Sequence, residues 1–309
     1  MRLILVLSVL IVSACAVPPP PETARPWRLP TSRPAGAAGA QIARGEALIS
    51  QTARYLGPEM PDPALRVAGN HLACKNCHLQ AGQQAHALGF VGVSARYPRY
   101  RGRENRVVSL AERVNGCFER SLNGRALPEQ SPEMQAILAY MNWLSEGYPS
   151  GSKVQGQGLP PLELPARAAS PQKGRVLYQA RCQSCHQANG LGLKANPAQP
   201  GAGYLYPALA GPDSFNNGAG MGRVITAARY IKANMPLGKA DLTSEQAFDV
   251  AAYLNSLPRP QKSGLEKDFP DRRKKPVDAP FGPWPDSFSA EQHRFGPFKP
   301  MLAGRTPES

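Results

Sequence analysis

Long hydrophobic runs are missing from this 309-residue chain. No stretch approaches the roughly 18 apolar residues that a membrane-crossing helix requires, so the mature protein is not expected to thread a bilayer. Acidic side chains are also few. Twenty-two Asp and Glu stand against 36 Lys and Arg, a net charge of +14 that points to an acidic partner, an anionic surface or an anionic substrate. Charged residues of all kinds make up 19% of the chain, too few for a coiled coil, while 42% apolar residues exclude a wholly disordered chain. What is plentiful is proline and glycine, 33 and 29 residues, so long stretches must be loop or tether. The length suggests about two domains, at about 150 residues for each.

Residues 1–15 read as a signal segment rather than as fold. Arg2 precedes an apolar stretch from Leu3 to Val12, followed by the small residues Ser13 and Ala14 and then Cys15. Ser13-Ala14-Cys15 resembles a bacterial lipobox, which predicts an exported, periplasmic lipoprotein anchored through Cys15; ordinary cleavage near Ala16 is the alternative. Residues 16–40, with Pro18–Pro21, Pro26, Pro30 and Pro34, read as an extended tether.

One unit then occurs twice. Cys74-Lys75-Asn76-Cys77-His78 and Cys182-Gln183-Ser184-Cys185-His186 are both CxxCH. Each follows a helix-like segment opening with a glycine, Gly45 or Gly174, and each precedes an amphipathic helix. In the first half that helix opens at Ser131-Pro132, and in the second at the capping box Thr243/Gln246. The residues between, 150–170, form a Pro/Gly-rich linker. Domain 1 is therefore expected at 41–149 and domain 2 at 171–260, with an extended tail at 261–309.

CxxCH has a chemical reason. Two cysteines three apart share one face of a helical turn, so both sulfurs can form thioethers with the vinyl groups of one haem, and the adjacent His meets the iron. A redox disulfide leaves the His unexplained, and zinc would require both halves to pool ligands. Two covalently bound haem c groups follow, held by Cys74, Cys77, Cys182 and Cys185 with His78 and His186 as proximal ligands. In the second half, Tyr206-Pro207-Ala208-Leu209 resembles the class I cytochrome c loop whose Pro carbonyl steadies the proximal His. Met235-Pro236 stands where that class has its distal ligand, with Met221 as the alternative.

The first half lacks a comparable Met-Pro pair. Four cysteines for haem and one for lipid leave Cys117, placed after a short helix that opens at Ser109 and ends near Gly116. Its thiolate would be a soft ligand for iron, with His71 and His86 as weaker candidates. Between Arg96 and Arg125 lie eight Arg, three Glu and no Lys. Guanidinium forks suit oxyanions, so a small dianion beside a thiolate-ligated haem is expected. Nucleic acid is not, because no binding motif accompanies the charge.

The run Tyr97-Pro98-Arg99-Tyr100-Arg101, with Arg103-Glu104-Asn105-Arg106 and Arg113-Val114-Asn115-Gly116-Cys117-Phe118-Glu119-Arg120, resembles the dihaem thiosulfate dehydrogenase family. So does the tail, in Lys275–Pro283 and Gln292–Phe298. The resemblance implies an all-α fold of two class I cytochrome c-like domains that join two thiosulfates into tetrathionate and release two electrons. It also implies His78/Cys117 ligation at the first, catalytic haem and His186/Met235 at the second, exit haem. Some members carry a Lys before the distal Met; here the residue is Asn234. Two thiosulfates bring four negative charges into one site, for which Arg101, Arg106 and Ser109 are the expected contacts, with Arg103 in reserve. The acceptor is expected to be a small cytochrome c or a high-potential iron–sulfur protein, and tetrathionate reduction would use the same site. The competing readings are a plain dihaem electron carrier and a sulfur-carrier-linked thiosulfate-handling cytochrome.

Overall fold

The computed structural model describes residues 24–305. The signal segment, Cys15 and Pro18–Pro21 lie outside the described residues. The first half contains helices α1 (Gly36–Ser50), α2 (Thr52–Leu56), α3 (Leu110–Arg120) and α4 (Pro132–Trp143). The second contains α5 (Pro171–Arg181), α6 (Gln183–His186), α7 (Val224–Asn234) and α8 (Ser244–Ser256), and the tail adds α9 (Ala290–Phe295) and α10 (Lys299–Ala303). Two small antiparallel hairpins accompany this helical architecture. They pair β1 (Arg99–Arg101) with β2 (Arg106–Val108), and β3 (Leu193–Lys194) with β4 (Tyr204–Tyr206).

The two halves repeat one packing rule. Ser131 Oγ accepts from the Met134 N–H at 3.2 Å to start α4, and Thr243 and Gln246 bond reciprocally at 2.8 and 3.2 Å to start α8. Each of these helices crosses the helix that opens its half, and the crossing point is a glycine. A Cβ on Gly45 would lie 2.0 Å from the Ala136 carbonyl oxygen, and one on Gly174 would lie 1.9 Å from that of Asp249. The helices meet backbone to backbone, which no larger residue permits. Leu48, Ile49, Phe118 and Tyr140 fill the first core; Ala228, Phe248, Val277 and Phe298 fill the second.

The glycine crossing makes a prediction whose sign is informative. In an open helix Gly→Ala stabilises by about 1 kcal/mol. At Gly174 the added methyl must displace backbone, and overpacking of this kind costs about 1–3 kcal/mol. Gly174→Ala is therefore expected to lower the thermal unfolding midpoint of the holoprotein by several degrees. A rise would mean that the two helices have room to part.

Three segments differ from their expected character. Helix α3 does not stop near Gly116 but continues to Arg120, so Cys117 lies inside it. The linker is packed: Arg25 bridges Val154, the Gly156 and Gly158 carbonyls accept from the His86 and Leu88 N–H groups at 2.6 and 3.2 Å, and Pro160 O accepts from Arg229 at 2.7 Å. The described end of the tether is packed too, since Trp143 Nε1 donates to Ser32 O at 3.1 Å and α1 starts at Gly36. Pro/Gly-rich backbone forms few internal hydrogen bonds, so its carbonyls are satisfied by neighbouring chain. The tail is a strap across both halves. Asp268 binds Arg103 and Arg120 of the first half, each at 2.8 Å, while Val277, Phe298 and Met301 enter the second core.

Polar contacts join the halves directly. Asp213 gathers the His71 ring at 2.8 Å, Lys194 Nζ at 2.5 Å and Tyr204 OH at 2.6 Å. Asn70 Nδ2 donates to the carbonyls of both Ser121 and Ser214 at 3.1 Å. These contacts fix one CxxCH segment relative to the other.

Candidate active site

One continuous cavity reaches both CxxCH segments. Cys74, Cys77, His78 and Cys117 line it from the first half, and His186, Met221 and Met235 from the second; Ile49, Phe90 and Leu254 are among its apolar walls. The five described cysteines are all free. Burial pushes the thiols of Cys74 and Cys182 up to about 11 and that of Cys77 up to about 12. His78 Nδ1 donates to Leu88 O at 2.6 Å and His186 Nδ1 to Pro207 O at 2.9 Å. Each bond fixes the tautomer that leaves Nε2 available for iron. The donor set fits two haem c groups, held through Cys74/Cys77 and Cys182/Cys185.

Cys117 behaves differently from these thiols. Burial alone would push it up, but the Arg113 guanidinium and the His78 ring outweigh burial and bring it down to about 6. Arg113 donates to Cys117 Sγ at 2.9 Å. Four residues along α3 separate the two, so they share one helix face. The His78 ring faces the same sulfur closely enough to stabilise its anion. The His78 imidazole and the Cys117 sulfur thus meet on the cavity wall, beside the Cys74/Cys77 pair.

The arginine cluster sorts differently from its expected roles. Arg96, Arg99 and Arg113 line the cavity; Arg101, Arg103, Arg106 and Ser109 do not. Arg101 pairs with Glu104 at 3.2 Å and Arg106 with Glu112 at 2.5 Å. Arg103 is spent on Asp268 and on Gly218 O, at 2.8 and 3.1 Å. Ser109 Oγ accepts from the Glu112 N–H at 3.1 Å, and its own N–H donates to Glu112 Oε2 at 2.7 Å, a capping box that starts α3. Each of these four residues already has a partner supplied by the fold. Arg96 is held toward the cavity by Gln157 of the linker at 3.0 Å, and burial lowers its affinity for a proton, with Arg99 adding repulsion. The i,i+4 spacing of Arg113 and Cys117 was the available sequence signal for the missed residue.

Of the other ligand candidates, His71 is engaged by Asp213 and Glu59, and His86 lies outside the cavity lining. Met235 closes α7 with its N–H on Ile231 O at 2.8 Å, and Met221 sits in the turn Gly220–Gly222. Both reach the cavity.

Residues 66–150 match the model of the SoxA/TsdA cytochrome c domain, and residues 171–258 match that of cytochrome c. The chain is 46% identical over 232 residues to the thiosulfate dehydrogenase of Allochromatium vinosum, covering 74% of this chain and 81% of that protein. It is 39% identical over 234 residues to the thiosulfate dehydrogenase of Psychrobacter arcticus, covering 75% and 68%. The solved thiosulfate dehydrogenase (TsdBA) of Marichromatium purpuratum, in its as-isolated form, aligns with a TM-score of 0.70 and 36% identity over 76% of this chain. The present chain spans half the length of that solved chain.

Proposed function

The chain belongs to the thiosulfate dehydrogenase family of dihaem cytochromes c, and from that premise we propose that it oxidises two thiosulfates to one tetrathionate at Cys117. The observation that carries this reading is the half-buried Cys117 sulfur, favoured as an anion by His78 and bonded by Arg113 at 2.9 Å, with Arg96 and Arg99 on the same cavity. A plain electron carrier has no use for a thiol biased toward its anion by an arginine, in a cavity that two further arginines line.

Haem c, when bound at the two CxxCH segments, supplies one-electron acceptors beside the sulfur and an exit through the second half. The protein's own groups do the rest. Arg96, Arg99 and Arg113 bind and orient the dianions, whose mutual repulsion fixed cations offset in a cavity of low dielectric. The Cys117 thiolate forms a sulfur–sulfur bond with the terminal sulfur of the first thiosulfate, giving Cys–S–S–SO3⁻ and releasing two electrons. A second thiosulfate attacks the sulfane sulfur of that adduct; the bond to Cys117 breaks, the thiolate returns and tetrathionate leaves. Each step is reversible, so the same residues serve tetrathionate reduction.

The reading extends to setting and partners. We take the enzyme to be exported and anchored in the periplasm through Cys15, passing electrons to a small cytochrome c or a high-potential iron–sulfur protein. Purified holoprotein mixed with thiosulfate and ferricyanide should form tetrathionate, with two ferricyanides reduced per tetrathionate. Absence of tetrathionate would sink the proposal.

We propose that Met235, together with His186, would hold the iron of the second haem, because it ends α7 at the cavity that His186 also lines. Met235→Gly is expected to remove the weak long-wavelength absorption band of methionine–iron ligation and to leave the first haem unaltered. Loss of the band in Met221→Gly instead would transfer the role to Met221.

A further inference from the structure

Asn234 stands one residue before Met235 and is 4% exposed, yet its side chain is committed to the other half of the molecule. Its Nδ2 donates to the His86 carbonyl at 3.1 Å and to the Tyr230 carbonyl at 3.2 Å, while its Oδ1 accepts from Gln84 Nε2 at 3.2 Å. Two residues beyond His86 is Leu88, whose carbonyl accepts the hydrogen bond from His78 Nδ1 at 2.6 Å. A short path of contacts therefore runs from the end of α7 to the proximal histidine of the first half.

The segment along that path is strained. His86 has φ +61° and Leu88 φ +57°, left-handed conformations that non-glycine residues keep only where their surroundings over-determine them. Three contacts supply that constraint. The linker carbonyls of Gly156 and Gly158 hold the His86 and Leu88 N–H groups at 2.6 and 3.2 Å, and Asn234 holds the His86 carbonyl from the opposite domain. Tyr230, one turn earlier on α7, lines the cavity together with Cys77, so this face of the helix abuts the first site.

Resting on the reading of His78 and Met235 as iron ligands, we propose that Asn234 is a positioning residue for the first haem site. It holds residues 86–88 so that the Leu88 carbonyl sets the orientation and basicity of the His78 imidazole. A short Nδ1–H···O=C bond moves the ring toward imidazolate, which strengthens its Nε2 as a donor and favours ferric iron. Without the Asn234 anchor the strained segment relaxes, that bond weakens and the first haem becomes easier to reduce. A side chain next to the ligand of the second haem thus acts on the first.

The test uses holoprotein carrying Asn234→Leu, which keeps the branched outline of the side chain and removes all three hydrogen bonds. Asn234→Asp serves as a second variant that still accepts from Gln84 but cannot donate to His86. A redox titration follows each haem by its own ligand band, and NMR of the reduced protein reads the His78 Nδ1 proton. The expected result is a higher potential at the first haem, an upfield shift of that proton and an unmoved second haem. A change confined to the second haem, or no change at either, would overturn the proposal. Should Asn234→Leu fail to fold, Gln84→Leu removes one bond from the other side and should give a smaller shift of the same sign; silence there and in Asn234→Asp also overturns it. Met235→Gly run alongside must remove the long-wavelength band without moving the His78 proton. If it does not, the ligand assignment fails, and the His78 resonance still reports on Asn234.

Discussion

Cys117→Ala is expected to abolish thiosulfate oxidation while both haems stay covalently attached. The four thioether sulfurs belong to Cys74, Cys77, Cys182 and Cys185, so haem content by pyridine haemochrome should remain at two per chain. Cys117 lies within α3 and alanine is the best helix former, so the helix that carries Arg113 survives the change. What disappears is the sulfur that bonds to thiosulfate. Loss of a covalent nucleophile lowers turnover by roughly a thousandfold or more. The absorption of the first haem should change at the same time, because the residue opposite His78 is gone. A variant that still makes tetrathionate at the native rate would reduce Cys117 to packing and move the chemistry elsewhere.

Arg113→Leu should produce the second largest loss. The guanidinium N–H bonds the sulfur at 2.9 Å, and a hydrogen bond to a charged group contributes about 1.5–3 kcal/mol, which corresponds to roughly ten- to a hundredfold in rate. The same change has a signature in pH. At Cys117 burial favours the neutral thiol, while Arg113 and His78 favour the thiolate strongly enough to bring it down to about 6. Removing Arg113 leaves burial less opposed, so the thiol is pushed up and the thiolate is lost at a higher pH than before. The acidic limb of the kcat/KM profile should therefore move to higher pH in Arg113→Leu. Arg113→Lys should restore part of that movement through its charge, but not the full rate, since an ammonium lacks the planar fork. Unchanged rate and unchanged profile in both variants would remove Arg113 from the site.

What could be read along the chain is what acts within a few residues. The CxxCH spacing and the caps at Ser131 and Thr243 are local signals, and each led to the element found there; Gly45 and Gly174, expected to open their helices, lie inside α1 and α5 at the crossings instead. The odd cysteine is likewise visible by counting, because haem attachment accounts for four of the six and the lipobox reading for Cys15. Family resemblance supplied the pairing of Cys117 with His78, which no spacing rule could give across a gap of 39 positions.

The sequence alone determined that this protein holds two haems in two helical halves, carries one extra cysteine and crowds positive charge around it. Only the tertiary structure decided which of those charges face the sulfur. Arg103 is lost to Asp268, 165 residues away, while Arg113 is freed to bond Cys117. The linker and tail likewise proved to be packed straps, because their backbone carbonyls find donors only where other segments are brought against them. The physical reason is one of range. Helix caps and ligand spacings are set by covalent geometry over a few residues, whereas a guanidinium pairs with whichever carboxylate folding brings within hydrogen-bonding distance, and sequence separation carries no information about that.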